Sequence, residues 1–321
     1  MARSGGQILS MLGYLSPRSR IFADVAGNTA IGHHFLMLIF HDPHCIEYCA
    51  PGHPERPARI VRTVPVLKER HPKWDWRKPA PATQEQLLRA HSPQHIELIK
   101  NPRGDFDLDT PAYPKIYDYA IRSAGAGTEV SRAALAGQRA FALMRPPGHH
   151  STRDQAMGFC YFSNIAIAAL DALENGAKRV AIWDFDAHHG NGTENIVAGN
   201  ERIRFASIHQ FPAYPGTGAK SFANIDNYPV ALQTPRQEHV DICKSALDKL
   251  VEFKPDLILV SAGFDAYARD PLVQMTLEQE DFAGFGEWLR KIDVPVGAIL
   301  EGGYSDDLPE LIDTFLSAWT G

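Results

Sequence analysis

From Met37 onward, short apolar or β-branched runs alternate with longer segments whose apolar residues recur at helical spacing. The runs Leu38–Phe40, Phe141–Met144, Val180–Trp183, Arg204–Ile208, Leu257–Ser261 and Val296–Leu300 predict strands. Between them, Pro57–Arg70, Pro93–Lys100, Lys115–Leu135, Ser163–Asn175, Glu238–Phe253, Leu277–Arg290 and Asp307–Trp319 predict helices, and Asn175-Gly176 marks a helix stop ahead of the next strand. This alternation predicts an α/β fold with three layers, α/β/α, around a mostly parallel sheet. No internal repeat, low-complexity tract or linker divides the chain, so residues 37–321 are expected to form one domain behind an N-terminal extension, residues 1–36.

The unusual residues cluster where these strands end. Arg145-Pro-Pro-Gly-His-His150, Asp184-Phe-Asp-Ala-His-His-Gly190, His209-Gln-Phe-Pro212, Gly263-Phe-Asp265 and Glu301-Gly-Gly-Tyr304 each follow a predicted strand. In an open parallel sheet ligands bind outside the carboxyl ends of the strands. Polar loops at so many strand ends therefore predict an active site along that edge.

On an extended backbone Asp184, Asp186 and His188 would point to one side, and Asp186 and His188 could converge on one ion. Clustered ionisable groups directly after the buried-type run Val-Ala-Ile-Trp mark a metal or catalytic role over a capped strand end. Asp265, behind Ala-Gly-Phe, is the best third ligand, although a loop Asp taken alone more often caps a turn. Two carboxylates and one imidazole leave coordination positions open, as in a catalytic site. The set suits zinc, and Fe(II) fits the same donors. His149 and His150, on a proline-stiffened loop, could supply the base for a metal-bound water and the acid for a leaving amine. Tyr304, after two glycines, could donate its phenol to a tetrahedral oxyanion.

Composition narrows the partners. The 321 residues carry a net charge of −6, which gives no general attraction for nucleic acid or an anionic membrane. No apolar run reaches the length of a membrane span. Four cysteines are too few for a disulfide framework, and Cys45 and Cys49 lack a second pair at finger-like spacing, so they read as reduced thiols. The first 36 residues carry Arg3, Arg18 and Arg20 with no acid before Asp24, which fits a transit peptide as well as a plain extension. The expected location is the cytoplasm, with organelle targeting by that segment left open.

Taken in order, these segments resemble the histone deacetylase family, within the arginase–deacetylase fold. The resemblance rests on Pro51-Gly-His-Pro-Glu-Arg-Pro57, Arg145-Pro-Pro-Gly-His-His150, Gly158-Phe-Cys-Tyr-Phe-Ser-Asn164, Asp184-Phe-Asp-Ala-His-His-Gly-Asn-Gly192, Pro215-Gly-Thr-Gly218, Ser261-Ala-Gly-Phe-Asp265 and Glu301-Gly-Gly-Tyr304. The wording is similar to the class II branch and its bacterial relatives, with Asn191 as one such feature. The resemblance implies a zinc amidohydrolase that removes acetyl or short acyl groups from a lysine-like amine. It implies Asp186, His188 and Asp265 as zinc ligands, His149 paired with Asp184 as an electrostatic group, and His150, backed by Asn191, as base and then acid. Tyr304 would bind the substrate carbonyl and oxyanion, while Gly158, Phe159 and Tyr214 would line a tunnel for the aliphatic stem. It further implies a structural monovalent cation, usually potassium, at Asp184, Asp186, His188, Ser207 and the backbone oxygen of Ile208. Leu272 stands where polyamine-selecting relatives can carry an acid, which favours acyl-lysine over a polycation. The expected partners are an acyl-lysine protein or a small acylated amine, with a homo-oligomer left open. Acetylpolyamine hydrolysis and a catalytically inactive acyl-lysine binding module are the other readings.

Overall fold

The structure, a computed structural model, describes residues 36–321. Its strands are β1 (Leu38–Phe40), β2 (Asp75–Arg77), β3 (Ala140–Ala142), β4 (Val180–Asp184), β5 (Ile203–Gln210), β6 (Ile225–Val230), β7 (Leu257–Ala262) and β8 (Val296–Leu300). They form one sheet in the order β2-β1-β3-β8-β7-β4-β5-β6. Every pairing is parallel, so all carboxyl ends share one edge. The inner strands β3, β4, β7 and β8 are buried at every residue, as strands covered on both faces must be.

Register shows what covers each face. Trp183, Val260 and Ala298 are paired neighbours on β4, β7 and β8, so their side chains share a face. There the Trp183 ring meets Phe285 of helix Gln279–Lys291 at 5.4 Å between centroids. Gly297, one residue before Ala298, faces the other way, and a Cβ there would lie 2.5 Å from Val130 in helix Ile116–Leu135. Helices thus flank both faces of the sheet, which gives the expected three layers.

Strands β1 and β8 and helix Pro93–Lys100 have the bounds read from the sequence. The two strands not predicted, β2 and β6, are the sheet's edges. Asp75 and Arg77 of β2 are exposed, and β6 contains Pro229; both features suit an edge and erase the apolar run that announces an inner strand. The helix predicted over 57–70 is broken into Ala58–Val61 and Thr63–Arg70. Pro65 has no N–H to give the carbonyl of Val61, so the hydrogen-bond ladder is interrupted there. Helices Gln84–Ala90 and Asn191–Val197 were not predicted; the first starts from a reciprocal capping box between Thr83 and Gln86.

No helix among the described residues is long and apolar enough to cross a membrane. Cys45 is buried and Cys49 exposed, and both are free thiols. The expected N-terminal extension, residues 1–36, lies outside the described residues except for Leu36.

Candidate metal and catalytic site

Strand β4 stops at Asp184, and the chain bends through Asp186, Ala187 and His188. The bend is closed by Asp186, whose Oδ1 accepts the His188 N–H at 2.9 Å. Asp186 and His188 therefore come together through a turn, not through the extended spacing read from the sequence. Asp265, at the end of β7, meets them. Its Oδ2 lies 2.8 Å from His188 Nδ1, and Asp186 Oδ1 lies 3.2 Å from the same nitrogen. Ligand atoms of all three residues fall within 4.8 Å of one another.

The backbone aims these carboxylates. Ala187 N–H donates to Asp265 Oδ1 at 2.8 Å, and Gly302 N–H donates to Asp186 Oδ2 at 2.7 Å. Glycine is required beside them: a Cβ at Gly263 would lie 2.1 Å from Asp186 Oδ2, and one at Gly302 would lie 2.4 Å from Asp265 Oδ2. Asp184, Asp186 and Asp265 are all wholly buried. Such a concentration of buried carboxylates calls for a cation. Burial opposes a charge on His188, but Asp265 and then Asp186 outweigh it and hold the imidazole well above its usual pKa. Two buried carboxylates converging on one imidazole nitrogen, with glycines leaving the space clear, fit a divalent metal such as zinc.

His149 and His150 lie against this cluster with rings 4.0 Å apart between centroids. His149 Nδ1 faces Asp184 Oδ2 at 3.1 Å, whereas His150 Nδ1 faces Asn191 Oδ1 at 2.7 Å. Burial works against charge on His149, but Asp186 and Asp184 raise its pKa to about 10. His150 goes the other way, pushed well below the usual value by burial and then by His149 and His188. Adjacent groups driven apart in this manner are the pattern of an assigned acid and base.

Tyr304 is held from its backbone and its ring. Its N–H donates to Asp270 Oδ2 at 2.7 Å, and Asp270 Oδ1 takes the Leu272 N–H at 3.0 Å. The Arg59 guanidinium lies 4.9 Å from the Tyr304 ring centroid, and Phe159 packs edge-on at 5.7 Å. Arg59 also donates from Nε to the Gly303 carbonyl at 2.7 Å and from Nη2 to the Glu301 carbonyl. Behind it, buried Glu55 accepts from Arg59 Nη1 at 3.3 Å and is gripped by a fork from buried Arg145, whose Nη2 reaches Oε2 at 2.8 Å. The segments Pro51–Pro57 and Arg145–His150 are thereby bolted together beneath the tyrosine loop.

A cavity of about 520 Å³ opens onto these groups, lined by His150, Phe159, His188, Tyr214, Leu272 and Tyr304 among others. Gly158 sits at φ +57°, and a Cβ there would lie 2.5 Å from the His150 ring, so only glycine lets this wall pass so close. Tyr214 stands edge-on to His150 at 5.2 Å and is 39% exposed, and Leu272 is 41% exposed, which puts both toward the cavity mouth. Ser207 of β5 is the register partner of Asp184 on β4, and Ile208 follows it. Ser207 Oγ accepts from Gly190 N–H at 3.4 Å and lies 3.0 Å from His209 Nδ1.

Several site residues went unread in the sequence. Asp107 and Thr110 accept the N–H groups of Gly158 and Phe159 at 3.2 and 3.0 Å and so fasten that wall. Leu108 and Asp109 line the cavity, and no spacing signal announces them. Glu55 and Glu301 lie inside motifs visible in the sequence, and Arg59 lies two residues past one, but their contacts span distant parts of the chain.

Comparison with known proteins gives the family. A family model described as the histone deacetylase domain matches residues 53–318. A probable deacetylase of Methanothermobacter thermautotrophicus is 35% identical over 286 residues, covering 84% of this chain and 86% of its own. A histone deacetylase-like amidohydrolase of Pseudomonas aeruginosa is 35% identical over 281 residues, covering 80% of this chain and 74% of its own. Among solved structures, the HDA15 HD domain is similar with a TM-score of 0.80 and 28% identity, over 88% of this chain and 91% of that one.

Proposed function

The chain belongs to the histone deacetylase family and is a hydrolytic deacetylase, and from that premise we propose a zinc-dependent amidohydrolase that removes acetyl or short acyl groups from lysine side chains or similar amines. The observation that carries this reading is the convergence of Asp186, His188 and Asp265 on a cavity that His150 and Tyr304 also line.

Zinc held by those three residues would supply a Lewis acid for the acyl carbonyl and for the attacking water. The rest falls to the chain. With Asn191 Oδ1 as its partner, His150 Nδ1 carries the ring proton, which leaves Nε2 as the lone-pair nitrogen. Its depressed pKa keeps the ring neutral, ready to take a proton from water and then return it to the departing amine. His149, paired with Asp184, stays cationic and offsets the negative charge of the cluster. Burial pushes the Tyr304 phenol well above its ordinary pKa, so it remains an O–H donor for the carbonyl oxygen as charge develops there. Phe159 and Tyr214 give the wall an apolar surface suited to a methylene stem. A structural potassium ion beside the zinc would be held by Asp184, Asp186, His188, Ser207 and the Ile208 carbonyl, as the family resemblance implies.

Leu272 leaves the cavity mouth without a carboxylate at that position, which favours acyl-lysine over a polycationic amine. The test is a panel of acetyl-lysine peptides, longer acyl-lysine peptides, acetylputrescine and acetylspermidine. Efficient turnover of the peptides is expected. Turnover of the polyamines alone would overturn the lysine assignment, and binding without turnover would make the chain an acyl-lysine binding module.

A further inference from the structure

Glu301 directly follows the central strand β8 and is wholly buried. Its Oε2 accepts two consecutive backbone N–H groups, Gly148 at 2.6 Å and His149 at 3.1 Å, and its Oε1 takes the Ser261 hydroxyl at 3.3 Å. Among the described residues no lysine or arginine forms an ion pair with this carboxylate. What holds it instead is the loop before His150: two backbone amides of that loop and the charge of the His149 imidazole. The backbone of the same residue is fixed from the other side. Its N–H donates to the Ala262 carbonyl at 3.0 Å, and its carbonyl accepts from Arg59. Tyr304 follows three residues later.

We propose that Glu301 is a positioning residue that registers the His149–His150 loop against the Tyr304 loop. The two loops come from strands β3 and β8, and the Glu301 side chain is a direct tie between them. His150 and Tyr304 act on the same scissile amide, one on the attacking water and the leaving amine, the other on the carbonyl oxygen. A carboxylate clamped to the two amides just before His150 sets the separation of these groups. The inference rests on the amidohydrolase reading for its kinetic consequence, but its structural content, a fixed loop backbone, is separate.

Three substitutions divide position from charge. Glu301→Gln keeps the length and an oxygen that can accept both N–H groups, with its amide toward Ser261. Glu301→Asp keeps the charge but falls a methylene short, and Glu301→Ala removes the tie. With a zinc-loaded enzyme and an acetyl-lysine reporter, the Asp and Ala variants should lose about 100-fold in kcat, with KM within about threefold and zinc content unchanged. The Gln variant should stay within about tenfold of the parent kcat. Amide hydrogen exchange across residues 145–152 should accelerate at least about tenfold in the Asp and Ala variants and stay slow in the Gln variant.

Two results overturn the proposal: an Asp variant that equals or exceeds the Gln variant, or unchanged kcat and loop exchange in variants that merely melt earlier. Should Asp and Ala fail to fold, Gln decides: a loss beyond about tenfold in kcat, or accelerated loop exchange, contradicts the assignment. If the parent enzyme turns over no amide, the functional reading fails, while the exchange measurement still tests the tie.

Discussion

The rings of His149 and His150 lie 4.0 Å apart, yet the first faces the Asp184 carboxylate and the second the neutral amide oxygen of Asn191. That difference in partner adds to what keeps the first imidazole charged, Asp186 and Asp184 beside it, and the second neutral, its burial and the charges of His149 and His188. Placing a carboxylate behind His150 should erase part of it. In Asn191→Asp the pKa of His150 should rise, because an opposite charge favours the protonated ring. The base form would then be lost at higher pH, so the acid limb of kcat against pH should move up by about one unit. A limb that stays where the parent enzyme has it contradicts His150 as the base.

Tyr304→Phe tests the oxyanion donor. Removing one such donor lowers kcat by about 100- to 1,000-fold. Zinc content and the folded state should be retained, because the Tyr304 contacts described above use its backbone N–H and its ring, which phenylalanine keeps. Hydrolysis of an acyl-lysine reporter at the parent rate would remove the phenol from the mechanism.

The buried Arg145–Glu55 pair underlies both catalytic loops. Burial opposes ionisation of Glu55, but Arg145 and then Arg59 hold its pKa below the ordinary range. Glu55→Ala leaves two guanidinium groups buried without their carboxylate and should destabilise the protein by about 3–5 kcal/mol. Chemical denaturation measures this; a loss under about 1 kcal/mol would mean that the pair is not a structural tie.

Asp42 makes a separate prediction about pH and stability. It is wholly buried against His44 at 2.6 Å and Arg122 at 2.7 Å. Burial opposes its charge, but the hydrogen bonds from His44 and then Arg122 bring its pKa from 3.8 to about 2. A depressed pKa in the folded state gives stability that is present above 3.8 and is lost as pH falls through 2. Asp42→Asn should therefore be less stable by about 2 kcal/mol near neutral pH, with the gap closing as the parent is acidified. A constant gap down to pH 2 would contradict this assignment.

The sequence made the sheet's interior legible and its edges obscure. Strands such as Val180–Asp184 and Val296–Leu300 are apolar because helices cover both their faces. Asp75–Arg77 and Ile225–Val230 form the outer strands and carry polar residues or proline, so no apolar run marks them. At the site, Asp186 and His188 are recognisable as a pair, but a bend closed by Asp186 replaces the extended geometry that suggested it. Asp265 reaches the same ion position from 77 residues beyond His188, and only its place at a strand end advertises it. The supporting groups are harder still. Glu301 and His149 are 152 residues apart, and Arg59 and Gly303 are 244 apart, so no local pattern links them. Such contacts follow from the strand order and not from spacing along the chain.

The central claim is that Asp186, His188 and Asp265 hold a zinc ion on which hydrolysis depends. Its most direct test is metal content measured alongside acetyl-lysine hydrolysis in the parent protein and in Asp265→Ala. The parent should carry about one zinc per chain, lose zinc and activity together on chelation, and regain both when zinc is restored. Asp265→Ala should bind little zinc and show no turnover. Full hydrolysis by metal-free protein, or by Asp265→Ala without zinc, would contradict the account.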